Sequence, residues 1–147
     1  MRRDSRQYRA RVGVEMDNKV ASVNSLCPFC TLAPERIVAR TEYFQVVEDA
    51  FPVTEGHRLI VPGRHVASLF DLSEQEQESI WSVVAQVRAD ALRMPAVSGV
   101  NIGINDGAVA GQTVSHAHIH VIPRRAGDVA DPRGGVRWVI AGRARYW

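Results

Sequence analysis

Ser115-His116-Ala117-His118-Ile119-His120-Val121-Ile122, closed by Pro123, is the stretch on which the reading of this chain turns. Histidine alternates through it with small or branched apolar residues. In an extended strand, side chains at i, i+2 and i+4 share one face, with successive ones about 6–7 Å apart. The spacing therefore predicts a strand over 115–122, with His116, His118 and His120 in a row on one side and Ala117, Ile119 and Val121 packed on the other. Buried imidazoles each need a hydrogen-bond partner. A half-exposed polar strand face accounts for one histidine better than for three in strict alternation. Two chemical readings stand beside it. H-x-H on a strand can present two imidazoles to one metal ion. A histidine among histidines can also serve as a nucleophile or an acid–base group.

The loop leading into this strand carries Asn105-Asp106-Gly107 and Gly111-Gln112-Thr113. Glycine lets backbone N–H groups approach an anion, and Gln112 and Thr113 add side-chain donors. Donors converging beside a row of imidazoles suit a phosphate better than a metal ion.

Working outward, Tyr43, Phe44, Val46 and Val47 mark a β-rich run over 41–48. A turn follows over 51–56, and a second strand over 57–61 is stopped by Pro62-Gly63. Ser73 and Glu76 form an S-x-x-E capping box at the head of a helix predicted to about residue 93. Ile80, Val83, Val84, Val87 and Ala91 give it one apolar stripe, and Pro95 closes it. A further strand is expected over 99–104. Strand, strand, helix, strand, strand is an α+β layout: a mainly antiparallel sheet with one long helix and hairpin-length connections between paired strands.

The chain of 147 residues is 46% hydrophobic and 23% charged, enough for one ordinary core. Its net charge of +2 is too small to argue for a nucleic-acid partner. Arg2, Arg3, Arg6, Arg9 and Arg11 crowd the start, so residues 1–24 are expected to be a flexible Arg-rich extension and 25–147 a single domain. No apolar core of a secretory signal follows those arginines, and no run approaches the roughly 20 apolar residues of a membrane span. Neither a membrane nor a nucleic-acid partner is expected. Cys27 and Cys30 make a poor disulfide framework and read as half a metal site or a redox pair, which points to a reducing cytoplasm.

The run Gly111-Gln112-Thr113-Val114-Ser115-His116-Ala117-His118-Ile119-His120-Val121-Ile122-Pro123-Arg124 resembles the His-φ-His-φ-His-φ-φ signature of the histidine-triad (HIT) superfamily, where φ is apolar. Gly56-His57-Arg58-Leu59-Ile60-Val61-Pro62 with His65 is similar to the family's upstream motif. The two motifs stand in the family's order around a helix, and the resemblance runs from about Cys27 to about Asp128.

The resemblance implies a HIT-like fold, a two-fold homodimer, and a hydrolase that passes through a covalent nucleotidyl-histidine. His118 would be the nucleophile. The main-chain carbonyl of His116 would hold its second ring proton, and His120 would donate to a phosphate oxygen or to the leaving group. Gly111 and Thr113 would bind phosphate through their backbone, with Asn105 near the same phosphate and Gln112 near the leaving phosphates. Asp49 would accept from the ribose hydroxyls; read alone, it is a turn residue before Phe51-Pro52. His57 would orient His120 or touch phosphate. Cys27, Cys30, His65 and His116 would hold a structural zinc, with no organic cofactor. The substrate implied is a dinucleoside polyphosphate or a nucleoside phosphoramidate, with features of both branches and a lean to the former. Three rivals stand: a nucleotidyltransferase or phosphorylase with phosphate as acceptor, a nucleotide-binding regulatory protein, and a hydrolase with metal on His116, His118 and His120. The late run Arg133-Gly134-Gly135-Val136-Arg137-Trp138 reads either as a reach toward polyphosphate or a second base, or as a C-terminal strand or dimer contact.

Overall fold

The computed structural model describes residues 26–147, so the Arg-rich extension expected over 1–24 lies outside the described residues. Five strands form one antiparallel sheet: β1 (Ile37–Arg40), β2 (Phe44–Glu48), β3 (Arg58–Pro62), β4 (Val97–Ile104) and β5 (Ile119–Arg125). Their spatial order is β1-β2-β3-β5-β4, and α1 (Glu74–Leu92) is the one α-helix among the described residues. The α+β class and the antiparallel sheet with one long helix match the sequence reading. β1 is an addition to it. Its run Ile-Val-Ala-Arg is too short to show a period.

One face of the sheet carries Phe44, Val46, Ile60, Ile119 and Val121, which pack with Ile80, Val83, Val84 and Val87 of α1. Ile60 and Val121 are wholly buried, each worth about 1.5–3 kcal/mol. Val47, Leu59 and Val61 alternate to the opposite face and pack with Cys27 and Phe29. His120, paired with Leu59, therefore sits on the face away from the helix, as the alternation with Ile119 and Val121 requires, and His116 and His118 stand just before it.

The helix begins as its capping box dictates. Ser73 Oγ accepts from the Glu76 N–H at 3.3 Å, and Glu76 Oε2 accepts from the Ser73 N–H at 2.7 Å. Arg64 clamps the same carboxylate with Nε and Nη2, both at 2.8 Å. The Arg64 guanidinium, against the opposing effect of burial, lowers the Glu76 carboxyl to about 2. This clamp ties the end of β3, next to His65, to the first turn of α1.

Three features after α1 differ from expectation. The strand predicted over 115–122 forms its ladder over Ile119–Arg125, with Pro123 inside. Proline is tolerated because β3 pairs with β5 only from Ile119 to Val121. On that side the Pro123 carbonyl accepts from Thr54 Oγ1 at 2.7 Å, and no ladder donor is missed. The β4–β5 connection, residues 105–118, is longer than a hairpin turn and holds a 3-10 turn, Ala108–Ala110. After β5 the chain forms a kinked 3-10 segment, Gly135–Arg143, where a strand was one of the sequence readings.

Candidate active site

His118 is held by its own chain. Its Nδ1 lies 2.8 Å from the His116 carbonyl oxygen. A carbonyl only accepts, so Nδ1 carries the proton and Nε2 keeps a lone pair. The ring is buried and packs edge-on against Phe29, with centroids 5.1 Å apart. In its neutral form the ring has one nitrogen tied back and the other, Nε2, with a lone pair available to an electrophile.

His120 has the opposite polarity. The Val53 N–H donates to His57 Nδ1 at 3.4 Å, so His57 Nε2 carries its proton. That nitrogen lies 3.1 Å from His120 Nδ1 and donates to it. His120 is thereby left with its proton on Nε2. Burial, reinforced by the neighbouring His118 and His57 rings, lowers His120 to about 4, while Asp49 opposes the shift. Burial lowers His57 as well, against the pull of Asp49. Both rings are neutral at pH 7. The rings of His118 and His120 stand 4.9 Å apart, one offering a lone pair and the other an N–H.

Asp49 does two things. Its Oδ1 accepts from the Phe51 N–H at 2.8 Å, which is the turn role read from the residue alone. Its Oδ2 stands 3.5 Å from His57 Nε2. Lone pairs remain on both oxygens for further donors. Oδ2 therefore lies within reach of the histidine network, on the loop between β2 and β3.

The glycine loop is built differently from the expectation. Gly111 adopts φ +93°, a left-handed conformation suited to glycine, and its N–H donates to the Ala108 carbonyl at 3.0 Å. The Gln112 amide is committed at both ends. Its Oε1 accepts from the Gly107 N–H at 2.8 Å, and its Nε2 donates to the Ala67 carbonyl at 2.7 Å. These two residues shape the loop, and the second N–H of Gln112 Nε2 remains as a donor beyond the Ala67 bond. Thr113 is exposed. The Asn105 amide lies close beside Gly111, 3.9 Å from where a Cβ would stand there.

A second constellation lies on the other side of His116. Cys27 Sγ is 3.4 Å and Cys30 Sγ 3.6 Å from His116 Nδ1, and Cys30 Sγ is 3.3 Å from His65 Nδ1. One donor atom from each of Cys27, Cys30, His65 and His116 lies within 4.8 Å of all the others. His116 Nε2 lies 3.0 Å from the Pro62 carbonyl, so it holds the proton and Nδ1 turns a lone pair toward both sulfurs. Tetrahedral zinc with two thiolates and two imidazoles places neighbouring sulfur and nitrogen about 3.5 Å apart. The donor set and its spacings fit that ion. The sequence signal here was two residues on the first turn and two histidines far along the chain, joined only by the fold.

The structure thus brings together His57, His118, His120 and Asp49 in one group, and Cys27, Cys30, His65 and His116 in another. Residues that sequence reasoning missed act mostly through backbone: the Val53 N–H and the Pro62 carbonyl. Phe29 is the exception, set edge-on to His116 at 5.8 Å as well as to His118. Backbone roles leave no mark in residue type.

Residues 31–127 match the model of the HIT domain. The chain is 40% identical over 97 residues to the nitrilase and fragile histidine triad fusion protein NitFhit of Caenorhabditis elegans, covering 66% of this chain and 22% of that one. It is 35% identical over 96 residues to a bis(5'-nucleosyl)-tetraphosphatase (asymmetrical) of Schizosaccharomyces pombe, covering 65% of this chain and 53% of that one. The chain thus spans about a fifth and about half of these two relatives. A zinc-bound histidine triad family protein from Mycobacterium smegmatis superposes with a TM-score of 0.56 at 36% identity, covering 74% of this chain and 84% of that one.

Proposed function

The chain belongs to the HIT domain family, and from that premise we propose that it is a nucleotide hydrolase working through a covalent nucleotidyl-histidine on His118. The observation that carries this reading is the 2.8 Å contact of His118 Nδ1 with the His116 carbonyl, which assigns the proton of the neutral ring to Nδ1 and its lone pair to Nε2. The similarity to a bis(5'-nucleosyl)-tetraphosphatase supports dinucleoside polyphosphates as the substrate class.

In the first step His118 Nε2 forms a bond to the α-phosphorus, and the bond from phosphorus to the leaving group breaks with its electron pair. His120 Nε2–H donates to the leaving atom or to a non-bridging oxygen, where negative charge builds. In the second step water attacks the same phosphorus and the N–P bond breaks. Nucleoside monophosphate leaves and the neutral imidazole returns. Asp49 Oδ2 accepts from the ribose hydroxyls, and Asn105 and the exposed Thr113 face the phosphate. Gly111 and Gln112 serve by holding the loop.

Cys27, Cys30, His65 and His116 would hold zinc, which here supplies structural cross-linking of the N-terminal turn to β3 and the triad strand. A homodimer is likewise proposed; β4 is an edge of the sheet, where a second copy would find main-chain groups to pair with.

The test is to quench the enzyme during turnover of nucleotide labelled on the α-phosphate and map the label. Label on His118, absent in His118→Ala, is expected. Label on another residue, or none at any quench time, removes the covalent reading.

A further inference from the structure

Residues 128–147 follow the part of the chain that matches the HIT domain, 31–127. They fold on themselves beside the sheet. Arg137 Nε and Nη2 donate to the carbonyls of Ala144 and Arg143, both at 3.0 Å, and Trp138 Nε1 donates to the Arg133 carbonyl at 2.9 Å. Ala144 is fully buried. This segment forms one wall of a cavity of about 650 Å³, with Val136 and Trp138 facing Gly103, His120 and Ile122 across it. Cavities of this size with mostly apolar linings and few polar groups are the usual form of a small-molecule site.

The position of the cavity follows from the sheet order. β5 lies between β3 and β4. Asp49 precedes β3, on the β3 side of the histidine row. Gly103 is the β4 residue paired with His120, on the other side. Val53, Thr54 and His57 line the cavity on the β3 side, and Asn101, Gly103 and Asn105 on the β4 side together with the C-terminal segment; a phosphorus held over β5, with its ribose toward Asp49, would extend its leaving chain toward the β4 part.

The lining selects the ligand. Arg124 is the only Lys or Arg that lines the cavity among the described residues. Its charge is already met by Asp128 at 2.7 Å through both Nε and Nη2, and Nη1 donates to Asn101 Oδ1 at 2.6 Å. A phosphate chain would find no unmet cation there. An indole whose N–H is already satisfied, set among aliphatic side chains, suits a planar heterocycle instead. Gly103 keeps the floor open: a Cβ there would meet nothing within 4 Å.

Resting on the hydrolase reading above, we propose that this cavity is the subsite for the nucleobase of the leaving nucleotide, with Trp138 as its stacking platform. The C-terminal segment would then make the chain selective for substrates with a base at both ends.

The experiment compares diadenosine triphosphate with adenosine 5'-phosphoramidate, whose leaving group is ammonia and carries no base. Wild type, Trp138→Ala and Gly103→Val are assayed on both. Valine at 103 suits a strand and puts two methyl groups into open space, so it tests the cavity even if Trp138→Ala loosens the C-terminal segment. Each variant is expected to lose kcat/KM on the dinucleotide by about tenfold or more beyond any loss on the phosphoramidate, the scale of one base–aromatic stack. Equal losses on the two substrates, no loss on either, or a wild type that cleaves only the phosphoramidate overturns the subsite. A wild type that releases no nucleoside monophosphate from either substrate overturns the hydrolase reading beneath it.

Discussion

His57 Nε2 donates to His120 Nδ1 across 3.1 Å, and that single bond decides which nitrogen of His120 faces the site with a proton. The direction is set one link further back, where the Val53 N–H occupies His57 Nδ1. Under the proposed function His57 would thus be a positioning residue that acts through His120. Replacing it with Ala is expected to lower kcat by about tenfold, the cost of one lost hydrogen bond in the transition state, with little change in KM. His57→Gln, which can present an N–H to His120, should recover part of the loss. Equal defects in the two variants would make His57 a packing residue only.

The pH profile follows from the same bond. His120 is lowered from 6.5 to about 4, chiefly by burial, so it stays neutral down to mildly acidic pH. Once protonated, its Nδ1 would point an N–H at the N–H of His57. The contribution of His120 to hydrolysis is therefore expected to hold down to about pH 5 and to fall as pH approaches 4, with His57→Ala altering that contribution. The stability sign agrees. A histidine with a lowered folded value contributes stability that is whole above 6.5 and is lost between 6.5 and about 4. Melting temperatures across that range would show the loss.

Metal removal separates scaffold from chemistry. Chelation, or Cys27→Ser with Cys30→Ser, is expected to release close to one equivalent of zinc and lower the melting temperature by several degrees. Metal-depleted protein that stays folded should still form the His118 adduct. Elemental analysis of purified wild type provides the first check, and a chain without zinc at any loading would sink the assignment.

The Arg64–Glu76 clamp offers a prediction away from the chemistry. The Glu76 carboxyl is lowered from 4.5 to about 2, first by Arg64 and then, against burial, by the Ser73 backbone. Its stabilisation is present above pH 4.5 and lost as pH falls toward 2. With the Arg64 side chain 43% exposed and partly screened, the clamp is worth on the order of 1–2 kcal/mol. Glu76→Gln should lose that amount in denaturant melts at pH 7 and show no deficit at pH 2.

Alternation of small apolar residues with His116, His118 and His120 marked the imidazoles as a group, although only His120 lies within the strand and His116 and His118 stand on the segment just before it. Ser73 and Glu76 marked the helix start for an equally local reason. Cys27, Cys30, His65 and His116 could be named from resemblance, but their meeting point depends on long-range pairing that no local pattern encodes. Gly111 and Gln112 show a second role beside the one read from sequence, because glycine and amide side chains serve loop closure as readily as anion binding. β1 escaped notice because four residues cannot display a period, and the wall made by Trp138 because tertiary docking shapes it.

His116 offers its ring to the two sulfurs and its main-chain oxygen to His118. Only the first of these is written in its side chain. Any residue that keeps the backbone path at position 116 would still keep the attacking nitrogen of His118 bare, so the triad's first histidine can drift in identity without silencing its second. Mutagenesis at 116 would accordingly report on anchorage of the N-terminal turn, and the carbonyl that readies the catalyst would escape every side-chain scan.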